Sequence, residues 1–341
     1  MGVTIYDIAE QADVSIATVS RVFNGHPRVS RDTRTRVLAV ADALGYQPHV
    51  SARSLARRRT QLLSAVIPFM ANYFFVEVLQ GLQDRLAQSE FDLLVYTSNA
   101  LDDVDVQLAR AVQRGRAAGV IVFSMPLPEA RARRLQDSRQ PVVLVDCVHP
   151  EFDSISVNNE LGGYLAVRHC VDQGHERIGL LMANPESIPA RQRRQGYERA
   201  LREAGLPLCE DLVVFSSSDY EDGYSEHDGY EGMQALLAAG APPTAVFAVS
   251  DLQALGALRA LREAGLRAPD DIALVGFDDI VVSEYVGLTT LRQPMRKMGE
   301  LAVEKFLRRL HHPEHPISHT VFTPQLIVRR TCGGEQAVEA R

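Results

Sequence analysis

The chain has 341 residues, 36 basic against 43 acidic for a formal net charge of −7, and is 46% hydrophobic with no Trp. That length implies two or three globular units and that apolar share implies packed cores, which excludes a disordered chain. The acidic balance argues against nucleic-acid binding by the chain as a whole, because phosphate affinity needs cationic surface. Cys147, Cys170, Cys209 and Cys332 are far apart, with no metal-ligand spacing, so reduced thiols are expected. Asp7 and Glu10 stand where an export signal would be apolar, and Leu62 to Val76 is interrupted by Ser64, Pro68 and Asn72. A soluble, cytoplasmic protein without a membrane partner is the expectation.

The charge is not spread evenly. Residues 1–60 hold nine arginines against five acids, a net +4, which leaves −11 on the remainder. A basic head on an acidic body points to a nucleic-acid contact confined to one end, although a solvated helical face would carry the same charges. The head reads as three short helices. Thr4 with Asp7 suits a capping box, and Ile5, Ile8 and Ala9 share one stripe. Asp13 falls in a tight turn, and Ser15 caps a second helix, 16–23, whose Val19 and Val22 pack back on Ala9. A third helix follows Ser30, runs through Val37, Leu38 and Ala41, and stops at Gly45.

Ala9, Asp13 and Val19 have the spacing of a helix-turn-helix, whose second helix enters the major groove. Ser15, Ile16, Ala17, Thr18, Ser20 and Arg21 are short, apart from one apolar side chain and one guanidinium. Small residues allow close approach, a guanidinium reaches guanine, and an exposed Ile16 beside Ala17 suits a thymine methyl. The runs VTIYDIAEQADVSIATVSRVFNG and RVSRDTRTRVLAVADALGYQPHVSARSLARRRT resemble the N-terminal domain of the LacI/GalR (lactose/galactose repressor) family. The resemblance implies a DNA-binding domain over 1–48 and adds Thr4, Tyr6, Asn24, Ser30, Thr33, Tyr46 and Arg53 to the DNA-contacting residues. It also implies a hinge helix over 49–60 that pairs with its symmetry mate in the minor groove, with Leu55 as the wedge. VSARSLA is too short to be a stable helix alone, and Leu55 could instead pack under the body.

From Leu62 onward apolar runs alternate with amphipathic stretches. Strand candidates are 62–69, 91–99, 119–125 and 141–146, then 177–183, 212–218, 245–251 and 272–279. Helical patterns lie between them, at Val76–Gln88, Asp105–Arg114, Leu161–Gln173 and Leu252–Ala264. Such alternation indicates βαβ units, and about four strands per set suit two doubly wound subdomains better than one sheet. The heptapeptide ALREAGL occurs at 200–206 and 260–266 and reads as two similar helix ends. Ligands of such sheets bind beyond the carboxyl ends of the strands. The polar and aromatic residues there are Asn72, Tyr73, Phe74, Phe75, Asp146, Ser250, Asp251, Asp278 and Asp279. Each alone could equally be a helix N-cap.

The stretches NNELGGYLAVRHCVDQGHERIGLL, ARQRRQGYERALREAG, FAVSDLQALGALRALREAGLRAPDDIALVGFDDI and LTTLRQPMRKMGELAVE extend the same resemblance over nearly the whole chain. It implies an α/β, periplasmic-binding-protein-like body over 61–330. The first subdomain would take about 61–160 plus 292–330, the second about 161–291, with 331–341 a tail. By position it makes Arg193 and Asp278 effector-binding and Phe74 and Tyr224 aromatic lining, beside Asn72, Phe75 and Asp146. Ser250 stands where many members have Asn, and the acidic run SSSDYEDGYSEHDGY around Tyr224 is unusually long. The implied function is a homodimeric repressor, with tetramers left open. It binds double-stranded operator DNA and answers to a sugar or sugar phosphate, a nucleobase being the alternative. No cofactor or enzymatic activity is expected: Walker A, G-x-S-x-G, H-E-x-x-H and dinucleotide motifs are missing. His311, His312, His315 and His319 cluster beside prolines as a surface loop, metal binding being the lesser reading. A stand-alone solute receptor would leave residues 1–60 unexplained.

Overall fold

The computed structural model describes residues 3–23, 26–46, 60–68, 72–97, 103–216 and 220–333. The chain divides into two compact units, Met1–Gln61 and Leu62–Arg341. Asn24, Arg53 and Leu55 lie outside the described residues.

Among the described residues the first unit forms three helices: α1 (Ile5–Gln11), α2 (Ile16–Phe23) and α3 (Arg31–Ala43). Its core is Ile8, Ala9, Ala12, Val19, Val22, Val37 and Ala41. The Asp7 carboxylate accepts from the Thr4 amide and hydroxyl, both at 2.7 Å, which fixes the start of α1. Asp13 takes φ +49° in the turn, and Ser15 accepts from the Thr18 amide at 3.2 Å to open α2. Ser30 does the same for α3 through the Thr33 amide. Arg34 reaches back from α3 to the carbonyls of Val22 and His26 and so closes the end of α2 onto the bundle.

Among its described residues the second unit holds two six-stranded sheets. The first has the order β11-β5-β4-β3-β1-β2, built from β1 (Leu62–Ile67), β2 (Asp92–Thr97), β3 (Gly119–Phe123), β4 (Val142–Val145), β5 (Asp153–Val157) and β11 (His319–Phe322). All its pairings are parallel. The second has the order β12-β10-β9-β8-β6-β7, from β6 (Ile178–Met182), β7 (Val213–Phe215), β8 (Ala245–Ala248), β9 (Ala273–Asp278), β10 (Thr289–Arg292) and β12 (Gln325–Ile327). Here only the edge strand β12 runs antiparallel. Each sheet has a separate apolar cluster on either face, so both are doubly wound.

The connecting helices are α4 (Tyr73–Leu86), α5 (Val104–Ala111), α6 (Glu129–Asp137), α7 (Asn159–Asp172), α8 (Ile188–Glu203), α9 (Glu226–Ala238), α10 (Asp251–Glu263), α11 (Val281–Val286) and α12 (Met295–His311). Both copies of ALREAGL do close a helix, at Glu203 and Glu263. α4 starts three residues earlier than its periodicity suggested, so Tyr73, Phe74 and Phe75 form its first turn instead of a strand exit. The sequence division also needs correction at its end. Residues 292–330 do not form one block of the first subdomain: α12 and β11 join the first sheet, but β12 returns to pair with β10. Four strands were missed altogether, β5 and β10 to β12. Ser154, Thr289 and Thr290 are buried within β5 and β10, so those strands lack the apolar run that marks a buried strand.

α7 and α8 cross at Gly163 and Gly196. A Cβ on Gly163 would stand 2.1 Å from the Arg193 carbonyl oxygen, and one on Gly196 would stand 2.0 Å from that of Glu160. Backbone-to-backbone contact of this kind needs glycine on both helices, and it sets the depth at which Arg193 lies.

Candidate functional site

A cavity of about 100 Å³ opens in the second unit where the carboxyl ends of the two sheets face each other. The first sheet supplies Ser124 beyond β3, Asp146 beyond β4, and Asn72, Phe74 and Phe75 at the start of α4. The second supplies Ser187 and Arg193 at and on α8, Tyr224 before α9, Asp278 at the end of β9 and Gln293 beyond β10. Strain marks the strand ends: Ser124, Asp146 and Asp278 take φ of +40°, +59° and +129°. Non-glycine residues pay about 1–3 kcal/mol for such angles, and backbone held this way concentrates at binding sites.

Arg193 is 4% exposed. Its Nε donates to Asn159 Oδ1 at 2.9 Å and its Nη1 to the Val249 carbonyl, while the guanidinium lies 3.7 Å from the Phe277 ring centroid. Two carboxyl groups face it. Asp146 Oδ2 accepts from the Ser124 hydroxyl at 2.8 Å, and Oδ1 is buried with no hydrogen-bond partner. Asp278 Oδ1 accepts from Gln293 Nε2 at 2.6 Å, which leaves Gln293 Oε1 buried and unpartnered. Burial raises both carboxyls despite the opposing pull of Arg193, Asp278 to about 8. Tyr224 shares a 2.7 Å hydrogen bond with Ser187, and burial holds its hydroxyl above the ordinary tyrosine range. Burial pushes the Cys147 thiol at the cavity wall up to about 12, so it is a neutral, inert lining group.

Seven of the eight expected effector residues therefore line one cavity: Asn72, Phe74, Phe75, Asp146, Arg193, Tyr224 and Asp278. Ser250 does not. Its hydroxyl accepts from the Gln253 amide at 3.1 Å to cap α10 and donates to the Tyr224 carbonyl at 3.2 Å. Its short side chain is used up at the helix end. Asn72 combines both roles, since it also caps α4 through the Phe74 amide. Sequence reasoning missed Gln293, Ser124 and Ser187. Ser124 directly follows a recognised strand and could have been found by the strand-exit rule, whereas Gln293 follows β10, which was itself missed.

In the first unit, Thr4, Tyr6, Ser15, Ile16, Ala17, Arg21 and Ser30 are exposed, and Thr18, Ser20, Thr33 and Tyr46 are half-buried. Val19 and Val22 turn to the core, so Ile16, Ala17 and Arg21 share the outer side of α2. The Ser15 and Thr18 hydroxyls are bonded to each other at 2.9 Å, and Tyr46 packs on Phe23. Among the described residues no three His, Cys, Asp or Glu side chains converge as metal ligands, and no helix is long and apolar enough to cross a membrane.

Two domains known from other proteins account for these features. Residues 4–49 match the family described as "Bacterial regulatory proteins, lacI family", and residues 167–332 match the "Periplasmic binding protein-like domain". Over 332 residues, 96% of this chain and 98% of each relative, it is 33% identical to Catabolite control protein A of Priestia megaterium and 34% to the Ribose operon repressor of Haemophilus influenzae. A solved structure of the lac repressor dimer bound to operator and the anti-inducer ONPF superposes with a TM-score of 0.84 at 28% identity, covering 97% of this chain and 99% of that one. The chain belongs to the lacI family of bacterial regulatory proteins, DNA-binding transcriptional repressors that carry an effector-binding domain.

Proposed function

We propose that this protein represses transcription from a near-palindromic operator, and that an uncharged, hydroxyl-rich molecule of the sugar class, bound in the cavity, sets its operator affinity. One observation carries the choice of ligand. Asp146 Oδ1 and Gln293 Oε1 are both buried with no hydrogen-bond partner, which suits a ligand rich in hydroxyl donors. Among the described lining residues Arg193 is the single cation, and Asn159, Val249 and Phe277 already hold it. A phosphate would find no unengaged cation among the described lining residues, which favours a sugar over a sugar phosphate. Phe74 and Phe75 offer apolar faces for a sugar ring. A thermal-shift screen of neutral sugars, sugar phosphates and nucleobases tests this: protection by neutral sugars supports it, and protection by phosphates or nucleobases alone overturns it. Arg193→Ala should abolish the protection.

On the DNA side, Arg21 reaches a guanine, Ile16 and Ala17 meet thymine methyls, and Thr4, Tyr6, Ser30 and Thr33 position the head on phosphates. Leu55 opens the central step, where a pyrimidine–purine pair kinks most easily. A two-fold site requires a homodimer. Tyr285 at 83% exposure and Val281 at 59% on α11, with Tyr73 and Val76 on α4, are apolar surface that a second copy would cover. The protein thus works in the cytoplasm, on DNA. Deleting residues 1–60 should abolish specific operator retention in a gel shift, and unchanged retention would sink the reading.

A further inference from the structure

A further buried carboxylate, not among the residues lining the cavity, is that of Asp251. Asp251 opens α10 and is 0% exposed. Its Oδ2 accepts from the Ile280 amide at 3.0 Å and the Ser283 hydroxyl at 2.5 Å, and its Oδ1 from the Thr290 hydroxyl at 2.5 Å. Those donors come from three segments: the stretch just past Asp278, helix α11, and β10, which runs on to Gln293. Gly276 in β9 leaves room for this carboxylate, because a Cβ there would stand 2.3 Å from Oδ1.

We propose that Asp251 is the positioning residue of the effector site, clamping the exit of β9, α11 and β10 so that Asp278 and Gln293 meet the effector in one fixed arrangement. The inference rests on reading the cavity as the effector site. Loss of this clamp would free both ends of the Gln293–Asp278 hydrogen bond at once. It would also release α11, whose Val281 and Tyr285 face outward.

The clamp has an electrostatic side. Burial raises Asp251, but three donated hydrogen bonds favour its anion and oppose that rise. Asp278 receives a single amide donor. The groups facing it are Arg193 from α8 and Gln293 beyond β10, which lower it, and Asp251 from α10 and Asp146 beyond β4, which raise it. Asp279 is the remaining acid beside Asp251. Three donors stabilise the anion at Asp251 against one at Asp278, and the neighbouring charge of Asp251 helps to raise Asp278.

The test is Asp251→Asn in the full chain, with folding checked by circular dichroism. Carbon-13 NMR of aspartate-labelled protein follows the Asp278 carboxyl, its signal identified by its loss in Asp278→Asn. The expected result is a titration midpoint below the wild-type value and at least about tenfold weaker binding of whichever of ribose, galactose or cellobiose protects the wild type, a loss in keeping with a hydrogen bond to a charged group. A purely structural brace would lower the melting temperature without weakening the sugar, so an unmoved midpoint or an unchanged sugar affinity overturns the proposal. If Asp251→Asn does not fold, Ser283→Ala removes one arm and keeps the carboxylate; it should displace the same midpoint, and no displacement is again fatal. Failure of all three sugars to protect the wild type counts against the effector reading, while the titration in the free protein still decides the role of Asp251.

Discussion

The guanidinium of Arg193 lies over the ring of Phe277, 3.7 Å from its centroid, while Asn159 and the Val249 carbonyl hold its edge. The cavity's guanidinium is therefore fixed before any ligand arrives, by an aromatic face from β9 and by polar groups from α7 and the exit of β8. Preorganisation of this kind lowers the ordering penalty of binding. Phe277→Leu keeps the burial and removes the face. It should destabilise the body by about 1–3 kcal/mol, the sum of lost packing and a desolvated cation–π contact. Urea denaturation measures that loss, and calorimetry with the protecting sugar measures the weaker binding expected once Arg193 loses this support; full retention of both would show that the stacking is incidental.

The raised carboxyl of Asp278 makes a signed prediction about pH. Its folded value is about 8 against an ordinary aspartate near 3.9 when unfolded. The folded state then binds the extra proton, so this group's stabilisation is complete below the unfolded value and is lost as pH rises toward 8. Wild-type melting temperature should fall between pH 6 and 8.5. His169, raised chiefly by a hydrogen bond with the Cys332 side chain and further by its bond to the Cys332 carbonyl, contributes with the same sign. Asp278→Asn separates the two, because its melting temperature should fall less over that range. Sugar affinity should move the other way and strengthen with pH, since a hydroxyl donates best to the anion. A pH-independent affinity would contradict a carboxylate acceptor at 278.

Gly163→Ala tests whether the α7–α8 crossing sets the site. The new methyl would stand 2.1 Å from the Arg193 carbonyl, a backbone atom that no rotamer change can move away. The helices must separate, at about 1–3 kcal/mol or more for an overpacked contact. Because the displaced residue is Arg193 itself, sugar protection in the thermal-shift assay should fall along with stability. A variant that is destabilised yet binds sugar normally would show that α8 can move without carrying its guanidinium.

The head was legible in the sequence because its signals are local. Thr4, Ser15 and Ser30 sit at the helix starts where capping chemistry puts them, and Ala9, Val19 and Val37 mark the inward stripes. The body was legible only where strands are apolar. β5 and β10 bury Ser154, Thr289 and Thr290; the Thr289 hydroxyl donates to the Arg329 carbonyl and the Thr290 hydroxyl to Asp251, partners from distant parts of the chain. No window of sequence shows such a partner. Gln293 stayed hidden for the same reason, while Asp146 and Asp278 could be picked out at the ends of recognised strands. Ser250 shows the opposite failure, because the position that faces a ligand at a strand exit is also the position that caps the next helix.

Val19 and Arg21 lie two residues apart on α2, one fully buried and one exposed. They should therefore fail in different ways. Val19 packs in a core of seven buried residues, all of them aliphatic. A head of fewer than fifty residues has little stability in reserve, and removing two methyl groups costs on the order of 1–3 kcal/mol. Val19→Ala should lower or abolish the melting transition of the head, leave that of the body in place, and reduce specific and non-specific DNA binding together. Arg21→Ala removes no packing. The head should melt as before, while discrimination between operator and random DNA falls by about 1–3 kcal/mol, the worth of one bidentate contact to guanine. The salt dependence separates a base contact from a phosphate contact. If Arg21 only neutralises a phosphate, its loss lowers the log–log salt slope by about one and weakens both DNAs equally. If it reads a base, the slope holds and only the operator complex weakens.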